Sequence, residues 1–203
     1  DTYIPGNYRN VDKSTTVDLQ NNLYVTDDIS LIFGGEYREQ KALSYNSYTG
    51  SIENWSQYLT ANYDYQNSES EYKNFLLTAG YRHDYHDHWG NHVTYKFGGG
   101  YYLPKTNTRF HTSYATAFIS PTLDDLYSSS SNPNVTPETS KSFEFGLKQD
   151  LSERSNLNMT FFNDSRKDMI ALDASWIPQN SEKVYSRGLE TELKLGLPKK
   201  FNL

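Results

Sequence analysis

The sequence predicts an all-β chain, an antiparallel transmembrane β-barrel segment of about nine meandering strands. Apolar and polar residues alternate in nine stretches, a pattern typical of strands with one apolar face. The 203 residues combine 18 Tyr and 10 Phe with a mean hydropathy of −0.81. A barrel explains that combination, because only every second residue of its strands meets lipid. The connections also alternate between short and long, as in outer-membrane barrels.

The predicted strands follow one another along the chain, separated by clusters of turn-forming residues. Their apolar positions span, in order, Val17–Val25, Leu31–Tyr37, Trp55–Tyr65, Phe75–Tyr81, Val93–Tyr101, Phe110–Phe118, Phe143–Leu147, Leu157–Phe161 and Tyr185–Leu197. Strands of about ten to twelve residues match the roughly 9–11 that cross a bilayer when tilted. Aromatic residues lie towards the strand ends, where interfacial girdles place them: Tyr24, Tyr63, Tyr65, Tyr81, Tyr101, Tyr102 and Phe118.

The connections between these strands sort by length. Short turns are predicted at 26–28, 66–71, 104–107, 150–155 and 198–201, and long loops at 41–54, 83–91, 119–138 and 168–182. Short periplasmic turns and longer extracellular loops produce this alternation in outer-membrane barrels. Within the third long loop, Asn132-Pro133 and Thr136-Pro137 predict rigid turns. Asp124 and Asp125 follow a strand end, where they cap a turn or contact a ligand, and capping is favoured.

Composition excludes several classes of protein. A net charge of −6 disfavours a nucleic-acid partner, since no basic stripe is present to bind phosphates. The absence of Cys removes disulfides and thiolate metal sites. No stretch approaches the roughly 20 apolar residues of a spanning helix, so membrane contact would be made by strands. No phosphate loop, dinucleotide fingerprint or catalytic triad can be assembled, and the sequence therefore predicts no enzyme.

The segment from Arg82 to His92 holds the richest cluster of liganding side chains. Imidazoles and carboxylates together bind Zn or Ni, and carboxylates with carbonyls bind Ca. The candidates are Asp84, His86, Asp87 and His88. Their spacing matches no helical zinc motif, and Gly90-Asn91 marks a hairpin tip. Solvated turn residues, ligand contacts and a metal site all remain open; the first is favoured, and no metal is predicted.

Residues 114–127 (YATAFISPTLDDLY), 132–138 (NPNVTPE) and 141–144 (KSFE) form a strand–loop–strand unit. This unit resembles a conserved segment of TonB-dependent outer-membrane receptors. Two departures keep the turn-forming prolines: Ile119-Ser120 precedes Pro121 where the family has a basic residue and Ala, and Val135 replaces Leu. The resemblance extends to 77–84 and 185–193, and the short spacing of the blocks is most similar to cobalamin and siderophore receptors.

The resemblance implies a 22-stranded barrel with a plugged lumen, of which residues 1–203 would be a partial barrel domain lacking the plug domain and the remaining strands. The chain opens without a signal peptide, so it is interpreted as mature or truncated. The implied location is the bacterial outer membrane, with lipid around the strands and the TonB complex contacted through the plug domain. The implied function is energised uptake of cobalamin or a ferric siderophore.

Ligand contacts are expected in the four long loops, and the candidates are aromatic or imidazole side chains that suit the apolar faces of such ligands: Tyr45, Tyr48, His86, Trp89, Tyr127 and Trp176. Heme receptors of the family carry a His between the two halves of the motif, whereas none lies between Phe118 and Glu138. No resident cofactor is therefore predicted.

Two alternatives from other classes remain. A soluble all-β module could stack surface Tyr and Trp on carbohydrate. An outer-membrane enzyme, such as a phospholipase or protease, could place catalytic groups at a barrel rim, with His111, Ser113 and a nearby acid as the candidates. The support for the enzyme is weak, since residues two apart on one strand face are about 7 Å apart.

Overall fold

The computed structural model describes residues 10–44, 49–66, 74–181 and 183–196. The strands are β1 (Asn10–Tyr24), β2 (Ile29–Ser44), β3 (Thr49–Gln66), β4 (Asn74–His86), β5 (Gly90–Leu103), β6 (Thr108–Ile119), β7 (Glu138–Ser152), β8 (Ser155–Lys167), β9 (Ile170–Leu172), β10 (Pro178–Asn180) and β11 (Val184–Lys194), with a 3-10 turn at Pro104–Thr106 and helix α1 at Leu123–Tyr127. Neither helical segment in the described ranges is long and apolar enough to span a membrane.

The main sheet is an antiparallel meander, which confirms the predicted fold class. Its order is β1-β2-β3-β4-β5-β6-β7-β8-β11, nine strands in all. Each strand pairs with its neighbour in the chain, except that the small β9-β10 hairpin intervenes before β11. The sheet remains open in the described residues, with β1 and β11 as its edges.

The prediction of long loops at 41–54 and 83–91 is wrong. The pairing of β2 with β3 continues to Leu43 and Thr49, and that of β4 with β5 continues to His86 and Gly90. The predicted loops at 41–54 and 83–91 are therefore mostly tall hairpin strands with short tips. The polar sequence of these segments led to the wrong prediction. A strand that extends beyond the membrane keeps its backbone hydrogen bonds although it has no apolar face.

The other two long connections, at 120–137 and 168–183, leave the same end of the sheet, which we call the loop end. The first contains α1 and the second contains the β9-β10 hairpin. Side-chain amides join the two loops: Thr136 N–H donates to Asn180 Oδ1 at 2.8 Å, and Asn132 Nδ2 donates to the Pro178 carbonyl at 2.9 Å. These hydrogen bonds, and not strand pairing, hold the two loops together.

The strand registers bring apolar side chains together on one face of the main sheet, the apolar face. One row runs Phe33, Leu59, Tyr81 and Tyr95 across four adjacent strands. At the edge, Leu19 is 69% exposed. The opposite, polar face carries charged and small residues. Because both faces lie open in the sheet and one is apolar, the arrangement fits a wall between lipid and a polar lumen.

Aromatic side chains form two bands on the apolar face. Tyr37 packs on Trp55 near the loop end, with ring centroids 4.2 Å apart, and Tyr63, Tyr65 and Phe75 cluster near the opposite end. Trp55 and Tyr65 lie on one strand, ten residues apart, about 33 Å at 3.3 Å per residue. A tilt of about 40° reduces this to a height of roughly 25 Å, that of a barrel's apolar band.

Three predicted girdle residues belong to the polar side instead: Tyr102, Phe118 and Tyr24, the last of which pairs in register with Ser30. Tyr102 pairs in register with Arg109, and the guanidinium carbon lies 4.8 Å from the centre of the Tyr102 ring. The Phe118 ring stacks on His92 with centroids 4.6 Å apart. Phe118 can reach His92 because the ladder between β5 and β6 ends at the Lys96–Ala115 pair while both strands continue.

Candidate functional site

The loop that contains α1 folds inward over the polar face. Leu123, Leu126 and Val135 pack against Ala42 and Ile52, and together these five form the buried apolar cluster of the described residues. The pairing of Ala42 with Gly50 places this contact near the tip of the β2-β3 hairpin. The loop therefore covers part of the polar face instead of extending into solvent.

Local hydrogen bonds explain why α1 begins where it does. Thr122 Oγ1 accepts a bond from the Asp125 N–H at 3.1 Å, and the Asp125 carboxylate accepts one from the Thr122 N–H at 2.8 Å. This reciprocal capping box confirms the expected capping role of Asp125. Further along, the Asn134 N–H donates to Asn132 Oδ1 at 3.0 Å, an Asx turn that accords with the predicted rigid turn.

Gly50 makes room for the aromatic ring of α1. A Cβ atom at position 50 would lie 2.4 Å from Cδ2 of Tyr127, well inside van der Waals contact. We expect Gly50→Ala to displace Tyr127 and loosen the loop, so that limited proteolysis cuts residues 120–137 at least several-fold faster. Gly98→Ala is the matched control, because a Cβ there meets no atom closer than 3.8 Å. Equal cleavage rates in the two variants would contradict this packing.

Beneath the loop, three strands contribute to a network of charged and polar side chains on the polar face. Arg82 Nε donates to both oxygens of Asp84, at 3.1 and 3.0 Å, and its Nη2 bonds Glu36 at 3.2 Å and Ser56 Oγ at 2.7 Å. Asn54 Nδ2 donates to Asp84 Oδ1 at 3.0 Å. Asp84 is only 2% exposed. A carboxylate is stable in such a buried position because a guanidinium pairs with its charge and an amide donates a hydrogen bond to it.

A pocket of about 400 Å³ opens beside this network. It lies where β5 and β6 separate, and the Thr116 hydroxyl bridges the gap by accepting the Tyr95 N–H at 3.0 Å. Its walls are mainly charged and polar, with one phenyl ring, and include Glu36, Arg38, Gln40, Asn54, Arg82, Asp84, His86, Thr94 and Phe118. Asn54 Oδ1 in this wall, and His92 Nε2 beside Phe118, are buried and lack a hydrogen-bond partner in the described part of the chain.

At the tip of the β4-β5 hairpin, His86, Asp87, His88 and Trp89 form a compact group. The His86 ring packs on Trp89 with centroids 4.1 Å apart. His88 Nε2 is hydrogen-bonded to the Tyr127 hydroxyl, which ties the hairpin to α1. Asp87 Oδ1 lies 3.1 Å from His86 Nδ1 and 2.9 Å from His88 Nδ1.

Burial decides the charge of His86. Its side chain is 3% exposed, and this burial lowers the pKa of His86 to about 4 because the imidazolium is poorly solvated there. The Asp87 carboxylate opposes the shift without reversing it. His86 is thus neutral at pH 7, so its contact with Asp87 is not an ion pair, and its Nδ1 accepts the backbone N–H of His88 at 3.2 Å. Burial, with a contribution from Asp87, raises the pKa of Tyr127, whose phenol stays protonated.

Of the six predicted ligand contacts, the fold gathers His86, Trp89 and Tyr127 at one place. Trp176 lies in the turn of the β9-β10 hairpin with a φ of 62°, and it is 74% exposed. Tyr45 and Tyr48 fall outside the described residues. Among the metal candidates, His86, Asp87 and His88 converge, whereas Asp84 is directed to Arg82 and belongs to the charged network.

Sequence reasoning missed the residues that join Asp84: Arg82, Glu36 and Asn54. A usable signal was present, since Arg82 and Asp84 alternate with apolar or aromatic residues on β4 and must share the polar face. The partners on β2 and β3 required the strand registers, in which Glu36 pairs with Ser56 and Ser56 with Asp84. Sequence alternation alone does not supply that alignment.

An open antiparallel meander with an apolar outer face, two aromatic bands and structured loops over a polar pocket defines a segment of an outer-membrane barrel wall. The family model described as "TonB dependent receptor-like, beta-barrel" matches residues 1–203. The chain therefore belongs to the TonB-dependent receptor β-barrel family, whose members are proteins of the bacterial outer membrane. This assignment confirms the resemblance and sets aside the soluble carbohydrate-binding module.

The chain matches two curated relatives, and each match spans only part of the relative's length. The chain is 29% identical to the vitamin B12 transporter BtuB of Vibrio vulnificus over 189 residues, which is 87% of this chain and 29% of the relative. It is 28% identical to BtuB of Photobacterium profundum over 187 residues, again 87% of this chain and 29% of the relative. The chain thus spans less than a third of these relatives.

Solved structures show the same fold. The siderophore receptor PirA of Pseudomonas aeruginosa superposes with a TM-score of 0.76 at 21% identity, covering 93% of this chain and 38% of that one. A variant of the ferric enterobactin receptor PfeA from the same organism, solved with enterobactin, gives a TM-score of 0.70 at 19% identity, covering 94% and 34%. The nine strands therefore correspond to about a third of such receptors.

Proposed function

We propose that this chain forms part of the wall and the outer mouth of a receptor that imports a scarce nutrient across the outer membrane. The ligand class is cobalamin or a ferric siderophore. One observation carries the proposal: the inward-folded α1 loop brings Tyr127 to His88 and Trp89, next to a polar pocket. The relatives named for vitamin B12 and for siderophores support the same ligand class.

We further propose that residues 1–203 are a partial barrel domain within a longer receptor. The described sheet ends in two open edges, β1 and β11, and other strands would pair there, since exposed edges favour association. In this proposal lipid covers the apolar face, and a plug domain in the lumen couples the receptor to TonB. The charged groups of the polar face would then line the path of the ligand.

The pocket has the chemistry that a polar, partly aromatic ligand requires. Asn54 Oδ1 and His92 Nε2 are buried groups able to hydrogen-bond a ligand. Arg38 and Arg82 are charged donors in the wall, where they pair with Glu36 and Asp84. Trp89 and Tyr127 provide flat apolar surfaces of the kind that stack on a corrin or catecholate ring. Ligand capture here needs no covalent chemistry.

The proposal includes no enzymatic activity. In the described part of the chain no hydrogen bond joins the His111 ring to Ser113, and the ring packs where a Cβ at Gly146 would lie, 2.1 Å from His111 Cε1. Ser113 pairs in register with Glu144, but a triad requires the histidine between the serine and the acid. The family model is described as receptor-like, and an uptake receptor requires no catalytic site.

Ligand binding tests the function directly. In the intact receptor in detergent, we expect Trp89→Ala and Tyr127→Ala each to weaken binding of cyanocobalamin or ferric enterobactin roughly three- to tenfold. The basis is the loss of about 0.5–1.5 kcal/mol of aromatic stacking. Fluorescence quenching of the receptor measures the dissociation constant.

Tyr185→Ala is the matched control, since Tyr185 lies on the edge strand β11, three strands away from Thr116, the pocket residue in its row. Its affinity should equal that of the unsubstituted receptor. If the receptor binds neither ligand, the proposed ligand class is wrong. If it binds one with unchanged affinity in both loop variants, the ligand occupies another part of the receptor.

A further inference from the structure

The hairpin tip described above concentrates three metal-liganding atoms. One liganding atom from each of His86, Asp87 and His88 lies within 4.8 Å of the other two. The carboxylate oxygen stands between the two rings, 3.1 Å from one nitrogen and 2.9 Å from the other. Consecutive residues converge in this way because the strand ends at His86 and the chain reverses over 87–89.

The two nitrogen–oxygen separations are close to those in the first coordination shell of a small divalent cation. Zinc binds imidazole nitrogen at about 2.0–2.1 Å and carboxylate oxygen at about 2.0–2.2 Å. Tetrahedral ligands at those distances stand about 3.3 Å apart. The observed nitrogen–oxygen distances of 2.9 and 3.1 Å need to widen by only a few tenths of an ångström. His86 Nδ1 accepts the His88 N–H at 3.2 Å and would exchange that bond for the ion.

The groups around the three atoms hold them in place. Since Nδ1 of His88 faces the carboxylate, its Nε2 is free to bond the Tyr127 hydroxyl, the kind of outer contact that orients a metal-bound imidazole. The His86 ring is held against Trp89. His86 is buried, but the side chains of Asp87 and His88 are 36% and 35% exposed, so a cation can enter from solvent.

We propose that His86, Asp87 and His88 form a binding site for a divalent transition-metal ion of the zinc class. Two imidazoles and one carboxylate favour such ions over calcium and magnesium, which prefer oxygen ligands alone. Three protein ligands leave a fourth position open to water or to a donor atom of a bound ligand. Through His88 and Tyr127, the bound ion would fix the hairpin tip against the α1 loop.

This inference stands apart from the proposed uptake function, because it concerns a bound ion and not the transported nutrient. Isothermal titration of the intact receptor in detergent, freed of metal by chelation, with zinc chloride tests it. We expect one ion bound at this site, and at least tenfold weaker binding in His88→Gln and in Asp87→Asn. Tyr127→Phe removes only the outer contact and should weaken binding about tenfold.

His83→Gln is the matched control, since His83 lies on the same strand but bonds Asn91 Oδ1 through its Nε2 at 2.9 Å. It should bind zinc as tightly as the unsubstituted receptor. Diethyl pyrocarbonate labelling of the unsubstituted receptor decides the matter without any variant: zinc should protect His88 and leave His111 reactive. Absence of protection, or equal zinc affinity in all variants, overturns the site.

Discussion

Replacing Arg82 with Met should destabilise the receptor by about 3–5 kcal/mol, because Asp84 would remain buried with its charge uncompensated. Arg82 contacts both Asp84 and Glu36. Glu36 keeps its ion pair with Arg38, whereas Asp84 loses the one cation that contacts it among the described residues. Guanidinium denaturation of the intact receptor in detergent, followed by tryptophan fluorescence, measures the change in free energy of unfolding.

Arg109→Met provides the comparison. Arg109 and Asp150 form an ion pair of 2.7 Å, but their side chains are 48% and 33% exposed, and exposed pairs contribute about 0–1 kcal/mol. A double variant, Arg82→Met with Asp84→Leu, should recover much of the lost stability because it removes the isolated charge. Similar losses in the two single variants would show that burial does not set the energy of the network.

Placing a charge at Phe97 should cost about 2–4 kcal/mol, because an arginine there would face the lipid near the middle of the membrane. Phe97 pairs in register with Ala79 and Tyr114 on the apolar face, midway along β5. We expect Phe97→Arg to lower the fraction of receptor that folds into outer-membrane vesicles, read as the folded, heat-modifiable band on gels.

Gly98→Arg carries the same charge one residue further, on the polar face. A Cβ at position 98 meets no atom closer than 3.8 Å, so the new side chain has room to extend into the lumen. Its folding yield should stay near that of the unsubstituted receptor. If both variants fold equally well, or fail equally, the assignment of the apolar face to lipid is incorrect.

Several of these features come together at the loop end. The α1 loop closes on the β2-β3 hairpin through Ile52, and on the β4-β5 hairpin through the bond from Tyr127 to His88. The second loop adds its own bonds through Asn180. The polar pocket is thus bordered by segments far apart in the chain.

The sequence by itself determined the nine strands of the main sheet, their alternation and the turns near 26–28, 104–107 and 150–155. The β9-β10 hairpin was not predicted, and the turns predicted at 66–71 and 198–201 lie almost entirely outside the described residues. Alternation is a local property, because neighbouring side chains on a strand point to opposite faces, and capping by Asp125 depends on residues three positions apart. The nine strands and the turn at Asn132-Pro133 could therefore be predicted. The length of the two tall hairpins could not be predicted, because strand pairing continues to Leu43–Thr49 and His86–Gly90, beyond the point where the apolar pattern stops.

Only the tertiary structure decided which distant side chains meet. The contacts of Arg82 with Glu36 and Ser56 depend on the register of three strands, and a shift by one residue would turn each side chain to the other face. The inward path of α1 depends on burying Leu126 and Val135 against Ile52, a gain that no local pattern reveals. The separation of β5 from β6, which opens the pocket, likewise exists only once the sheet has formed.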